Sequence, residues 1–265
     1  MHDAVLELQD LSIHFGGLKA VEALDLQVKE HEILGIIGPN GAGKTTVFNL
    51  VSGMYRPTRG KVLFEGKAIH HFPAHVITHH GIARTFQNIR LFQTLSVLEN
   101  VQVGMHHRLT TGHGTWFWRA VSKIGYFSAE NKQRQDSLQI LEKTGLRQWQ
   151  SERASSLPYG IQRKLEIARA LATGPRVLLL DEPAAGLNPS ESKELMELVR
   201  RIRQQFDVTV VLIEHDMKFV MNLCERVMVM DYGQKISEGT PEMVQNDPKV
   251  IEAYLGEEWN DVEVS

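Results

Sequence analysis

Residues 38–46 read G-P-N-G-A-G-K-T-T, and they constrain the chain more than any other stretch. The run satisfies G-x-x-x-x-G-K-[ST]. Its glycines let the backbone curl so that several N–H groups face one point. The helix that opens near Gly43 turns its positive end toward the same point. Lys44 adds a full charge for the β- and γ-phosphates, and Thr45 offers a hydroxyl to Mg²⁺. Thr46 adds a hydrogen bond to a phosphate nearer the sugar. The candidate nucleotide site is therefore Gly38, Pro39, Asn40, Gly41, Ala42, Gly43, Lys44, Thr45 and Thr46. Such a run arises by chance in roughly 1% of chains this long. Here the apolar run I-L-G-I-I at 33–37 precedes it, and a helix over 43–51 follows, closed by Gly53. Strand, loop and helix in that order are the context that the chemistry requires.

A loop of this kind needs a parallel sheet, and the rest of the chain supplies one. Residues 177–180 (V-L-L-L) and 208–213 (V-T-V-V-L-I) read as buried strands. Between them Asn188, Pro189 and Glu191 form a capping-box start to a helix. Its apolar stripe is Leu195, Leu198, Val199, Ile202 and Phe206. Residues 4–8 and 24–28 alternate like half-buried strands around a Gly16-Gly17 turn, and 61–64 suggests another strand. Strands alternating with helices imply an α/β fold.

At the end of V-L-L-L stand Asp181 and Glu182, at the carboxyl edge of a sheet, where ligands bind in open α/β folds. Asp181 suits Mg²⁺ held through a water, and Glu182 suits a general base on the attacking water. Two acids can also simply end a strand, but the phosphate loop upstream favours the chemical reading. Lys44 and Asp181 are 137 positions apart, long for one crossover, so something is inserted between them. Residues 88–155 fit: they read as helical, lack a β-branched run and carry +4 against −7 for the rest.

Composition bounds the remaining possibilities. The 265 residues hold 29 Lys+Arg and 32 Asp+Glu, so the chain has no basic excess for nucleic acid. Cys224 is the only cysteine, which excludes an internal disulfide and a multi-cysteine zinc site. The start is acidic and does not read as a signal peptide. No apolar run reaches the ~18 residues of a membrane span. A soluble chain is expected, meeting a membrane only through a partner or a surface.

Taken in order, these motifs resemble the ATP-binding-cassette ATPases over nearly the whole length. The resemblance rests on G-P-N-G-A-G-K-T-T, Gln87 in A-R-T-F-Q-N, L-P-Y-G-I-Q-R-K at 157–164, L-L-L-D-E-P at 178–183, A-G-L-N at 185–188 and His215 in L-I-E-H-D. It implies one domain over 1–265: a RecA-like P-loop core, an N-terminal antiparallel β subdomain and a helical subdomain inserted at about 88–165. It implies ATP hydrolysis with Mg²⁺ and a head-to-tail pair of ATPase subunits sandwiching two ATPs. R-T-F-Q-N-I-R-L-F at 84–92, S-V-L-E-N-V at 96–101, L-P-Y-G, D-E-P-A-A-G-L-N-P at 181–189 and the ending V-I-E-A-Y-L-G-E look most like the ATPase of branched-chain amino acid importers. That implies permease subunits as partners, a substrate-binding protein acting indirectly, and a place on the cytoplasmic face of the membrane. A urea importer resembles the same pattern.

Residue by residue, the resemblance makes Phe15 the aromatic that stacks on adenine. Gln87 matches the glutamine that reaches Mg²⁺ and the water and faces the membrane partner, and His215 the histidine on the γ-phosphate. Pro158 and Gly160 fall in the signature that meets the opposite subunit's ATP. There L-P-Y-G-I replaces L-S-G-G-Q, so Pro158 brings no hydroxyl, and Gly160 is expected to admit the phosphate because it lacks a Cβ. Asn188 replaces an aspartate and either bonds across the dimer or caps its helix. The cluster W-F-W-R-A-V-S-K-I-G-Y-F at 116–127 is either a small helical core or a contact with a transporter subunit or the bilayer interface. The acidic tail from Gly256 reads as frayed. Two other classes compete. Nucleic-acid-linked cassettes resemble chains with long coiled coils or two fused cassettes, absent here. A small-molecule P-loop kinase would not need L-P-Y-G-I-Q.

Overall fold

The computed structural model describes residues 4–110 and 123–254. Strands β1 (Ala4–Phe15) and β2 (Leu18–Lys29) form an antiparallel hairpin across Gly16 (φ 59°) and Gly17. Both run well beyond the five-residue stretches expected from alternation. Register shifts at Leu8/Leu11 and Leu11/Ile13 break the period-two pattern while the ladder continues. β4 (Arg59–Phe64) and β5 (Lys67–Ala68) complete a four-stranded antiparallel sheet in the order β2-β1-β4-β5.

The second sheet has six strands in the order β10-β9-β3-β8-β7-β6. β3 (Ile33–Ile37), β7 (Val177–Asp181) and β8 (Thr209–Ile213) are buried at every residue, as parallel strands covered on both faces must be. β6 (Ile82–Arg84) and β9 (Arg226–Asp231) extend the parallel array, and β10 (Gln234–Gly239) closes one edge antiparallel. This is the mixed α/β fold that the sequence implies.

Helix α1 (Lys44–Val51) follows β3, and α2 (Ala74–His80) precedes β6. One core lies between the two sheets and α1, where Leu6, Leu11, Leu24, Phe48 and Met228 meet. A second core covers the opposite face. The stripe Leu195, Leu198, Val199 and Ile202 of α6 (Pro189–Phe206) packs there with Phe206 partly buried beside it. α7 (Met217–Leu223) and α8 (Pro241–Gln245) add Phe219 and Val244. Asn188 caps α6 within its own chain: its side chain accepts from Ser190 N and Glu191 N, and Glu191 accepts from Asn188 N at 2.9 Å. The capping role expected for Asn188 is thus present within the chain.

A third core is purely helical. α3 (Val97–Thr110), α4 (Lys123–Lys143) and α5 (Tyr159–Ala172) enclose Val97, Val101, Leu141, Leu146, Leu165 and Ala168. This packing reaches Ala172, so α5 links the helical cluster directly to β7. Side chains of the aromatic cluster at 116–127 and the tail from Gly256 lie outside the described residues.

Candidate functional site

Three loops leave the same edge of the parallel sheet, because their strands are neighbours in register. Ile213 of β8 pairs with Ile36 of β3 on one side and Asp181 of β7 on the other. The phosphate loop after β3, the Asp181-Glu182 pair and the His215 loop after β8 therefore open together.

Two glycines of the phosphate loop leave no room for a side chain. Gly38 has φ 146°, and a Cβ there would sit 2.0 Å from the Met230 carbonyl. Gly43 has φ 97°, with Ala20 O only 2.4 Å from the same virtual position. Pro39 and Ala42 are buried and joined by Ala42 N donating to Pro39 O (3.2 Å), while Asn40 and Gly41 are exposed. Lys44 is buried, and its ammonium donates to the Gly38 and Pro39 carbonyls at 2.6 and 2.7 Å. Its charge is thus held inside the curl. Thr45 is exposed and Thr46 half-buried in the first turn of α1.

Asp181 is tied to α1 by a residue that sequence reading passed over. Arg84, at the end of β6, donates Nη2 to Asp181 Oδ2 at 2.7 Å. Its Nη1 donates to Asn49 Oδ1 (2.7 Å) and Ser52 Oγ (3.1 Å), both on or next to α1. Its guanidinium carbon lies 5.5 and 5.2 Å from the centroids of the Phe48 and Phe86 rings. Arg84 thereby sets the spacing between the phosphate-loop helix and the carboxylate. Its charge within the R-T-F-Q stretch reads in sequence as a surface group, so no local signal marks it.

Glu182 follows with φ 45°, a left-handed conformation that costs a non-glycine residue of the order of 1–3 kcal/mol. Its Oε2 accepts from Gln87 Nε2 at 2.7 Å and lies 3.9 Å from His215 Nδ1. The three residues expected to act together are thus brought together. His215 itself is well exposed. Beneath it Glu214 is fully buried and accepts from Ala184 N at 2.6 Å and His215 N at 3.2 Å. Desolvation, opposed by those backbone bonds, pushes its carboxyl above the usual range. Glu214 staples the loop after Glu182 to the loop of His215, and it too is hidden in sequence as one acid in L-I-E-H-D.

The outlying expectations fare differently. Phe15 is half exposed, with its ring edge-on to Tyr55 at a centroid distance of 5.4 Å, so a face remains for a flat ligand. Pro158 is the extended N-cap of α5. Gly160 has a close neighbour within its own chain. It is buried, and a Cβ there would meet Glu191 Oε1 of the same chain at 2.9 Å rather than open space. The Glu191 side chain of α6 thus packs against Gly160 of α5, and a Cβ there would make that side chain shift. Among the described residues no group of three or more His, Cys, Asp or Glu is placed to hold a metal ion, and no helix is long and apolar enough to cross a membrane.

Comparison with known proteins agrees with this geometry. Residues 21–185 match the ABC transporter family model, and 234–260 match a branched-chain amino acid ATP-binding cassette transporter model. The chain is 43% identical over 258 residues to the high-affinity branched-chain amino acid transport ATP-binding protein BraF of Pseudomonas aeruginosa, covering 97% of this chain and 100% of that one. It is 44% identical over 257 residues to LivG of Escherichia coli (strain K12), of the same description, covering 97% and 100%. Its fold matches the ADP conformation of MJ1267, an ATP-binding cassette of an ABC transporter. The TM-score is 0.81 and the identity 30%, over 96% of this chain and 99% of that one.

Proposed function

The chain belongs to the ABC transporter family, and from that premise we propose that it drives uptake of branched-chain amino acids through partner permeases. It is an ATP-hydrolysing cassette. The substrate reading is carried by one observation, the match of 234–260 to the branched-chain amino acid model, apart from the general cassette match at 21–185.

In this reading Gly38–Thr46 cradles the phosphates and Lys44 neutralises the β- and γ-phosphates. Phe15 stacks on the base. The candidate Mg²⁺ donors are the Thr45 hydroxyl, the Gln87 amide oxygen and Asp181. They are hard oxygen donors, and only one is a carboxylate. Such a set fits Mg²⁺, which is usually held by one or two carboxylates, with waters and substrate phosphates supplying the rest. When bound, the ion neutralises charge on the phosphate oxygens. Gln87 donates its side-chain Nε2–H to Glu182, which leaves the side-chain Oε1 to face the metal. Glu182 takes the proton of the attacking water, and His215 holds the γ-phosphate from the other side. Pro158 and Gly160 begin a helix whose positive end meets the ATP of a second ATPase subunit, identical or related. Permease subunits place the chain at the cytoplasmic face of the membrane, and a binding protein feeds the permeases. Nucleic acid has no part, in keeping with the net charge of −3.

The test is uptake in the source organism with this gene deleted, measured with radiolabelled leucine, isoleucine, valine and urea. High-affinity uptake of the three amino acids falls, wild type restores it and Glu182→Gln does not. Unchanged amino acid uptake with a loss of urea uptake would overturn the substrate reading.

A further inference from the structure

Arg163 is the largest side chain that the described fold buries completely, and its partner Glu166 is 1% exposed. Both lie on one face of α5, three residues apart. Neither belongs to the phosphate loop or the carboxylate pair, yet their bonds converge on the segment that carries Gln87. Arg163 Nη1 donates to the Phe86 carbonyl at 2.9 Å and Nη2 to the Gln87 carbonyl at 2.8 Å. Nη1 also donates to Glu166 Oε2 at 3.0 Å, and Glu166 Oε1 accepts from Arg90 N at 3.2 Å. The segment 86–90 is therefore gripped at both ends by one ion pair.

Net stability is a weak reason for such a pair. A buried ion pair replaced by apolar groups of similar volume is often neutral or stabilising by about 1–4 kcal/mol. Apolar groups cannot supply directional bonds to two carbonyls and one N–H. The planar guanidinium suits that task, since its rigid fork reaches adjacent carbonyls at once. The same guanidinium accepts no bond itself but donates to the Tyr159 hydroxyl at 3.2 Å, in the first turn of α5. The Tyr159 ring in turn lies where a Cβ on Gly186 would be 3.2 Å away, beside the loop that follows Glu182.

We propose that Arg163 and Glu166 are positioning residues for ATP hydrolysis, fixing the 86–90 backbone so that the Gln87 amide sits on Glu182. Through them the first turn of α5 and the water-activating carboxylate move as one unit. The inference rests on the reading of Glu182 as base and Gln87 as its partner.

The test is a set of variants of the full chain: Arg163→Met with Glu166→Leu, Gln87→Ala, and all three together. Steady-state hydrolysis gives kcat and KM, equilibrium binding gives ATP affinity, and thermal unfolding gives Tm. The charge-free pair keeps ATP affinity within about twofold of wild type, because the phosphate loop is untouched, while kcat falls at least about tenfold, the loss of a positioned group. The triple variant has the kcat of Gln87→Ala, because the pair acts only through Gln87. Independent structural damage would instead multiply the two losses. Should the charge-free pair unfold early, Arg163→Lys carries the same test. It keeps a cation beside Glu166 but loses the fork, so kcat falls at unchanged ATP affinity, again without adding to Gln87→Ala. Losses that multiply, or wild-type kcat in both clamp variants beside an impaired Gln87→Ala, overturn the inference alone. Wild-type kcat in Gln87→Ala overturns the role of Gln87, and the inference with it.

Discussion

Removing Arg84 should unfold the site from its base. The Arg84 and Asp181 side chains are 6% and 5% exposed, so their 2.7 Å ion pair is effectively buried. Arg84→Ala leaves Asp181 a buried charge without its partner, and breaking such a pair costs about 3–5 kcal/mol. It also removes the bonds to Asn49 and Ser52 on the α1 side. For a chain of this size each kcal/mol lowers Tm by about 2–4 °C, so a fall of roughly 6–20 °C is expected. Adding Asp181→Asn removes the stranded charge and should restore part of the loss. The double-mutant cycle should then give a coupling of about 2–3 kcal/mol, within the range for residues in one network. Urea and thermal unfolding of the four proteins, without nucleotide, measure this. A single-variant cost under about 1 kcal/mol, or additive effects, would refute the claim that Arg84 holds Asp181 against α1.

Two further outcomes follow from the site. Folding raises the Glu214 carboxyl pKa through burial, so the native state binds its proton more readily than the unfolded chain. Wild type should therefore gain stability relative to Glu214→Gln as pH falls from 7 toward the ordinary carboxylate value near 4.5, and Tm differences that stay flat would contradict it. Gly160→Asp sets a carboxylate against Glu191 and strains the α6 cap, costing about 0.5–2 kcal/mol. In the Glu182→Gln background it should also abolish ATP-dependent dimers in light scattering while monomer ATP binding survives; equal dimer formation would remove 157–162 from the phosphate-binding surface.

How far the sequence speaks depends on whether the determinants are local. Helix α6 is readable residue by residue, because Asn188, Pro189, Glu191 and the apolar stripe all lie within it. The phosphate loop is readable because its glycines and Lys44 fall within seven residues, 38–44. β6 is not, since three residues carry no period, and β9 is not, since R-V-M-V-M-D has charged ends and is buried on both faces between. The hairpin strands β1 and β2 are legible only in part, because bulges interrupt their alternation. Gln87, Glu182 and His215 emerge from motif order, and the fold brings them together. Arg84, Arg163, Glu166 and Glu214 do not emerge. A charged residue in a sequence reads as solvent-facing, and only tertiary structure reveals the partner that makes burial tolerable. Gly160 adds an intrachain neighbour that the sequence does not show, the Glu191 side chain at the start of α6.

The most direct test of the whole account is Glu182→Gln. The amide is nearly isosteric and retains an oxygen for the Gln87 N–H, so folding and ATP affinity should match wild type within about twofold. It cannot take a proton from water, and losing a positioned base costs about 10²–10⁴ in rate. Phosphate release at saturating ATP and Mg²⁺ should fall by that factor, with ATP-bound dimers outlasting those of wild type. Release within threefold of wild type would contradict the assignment of Glu182 as the group that activates water.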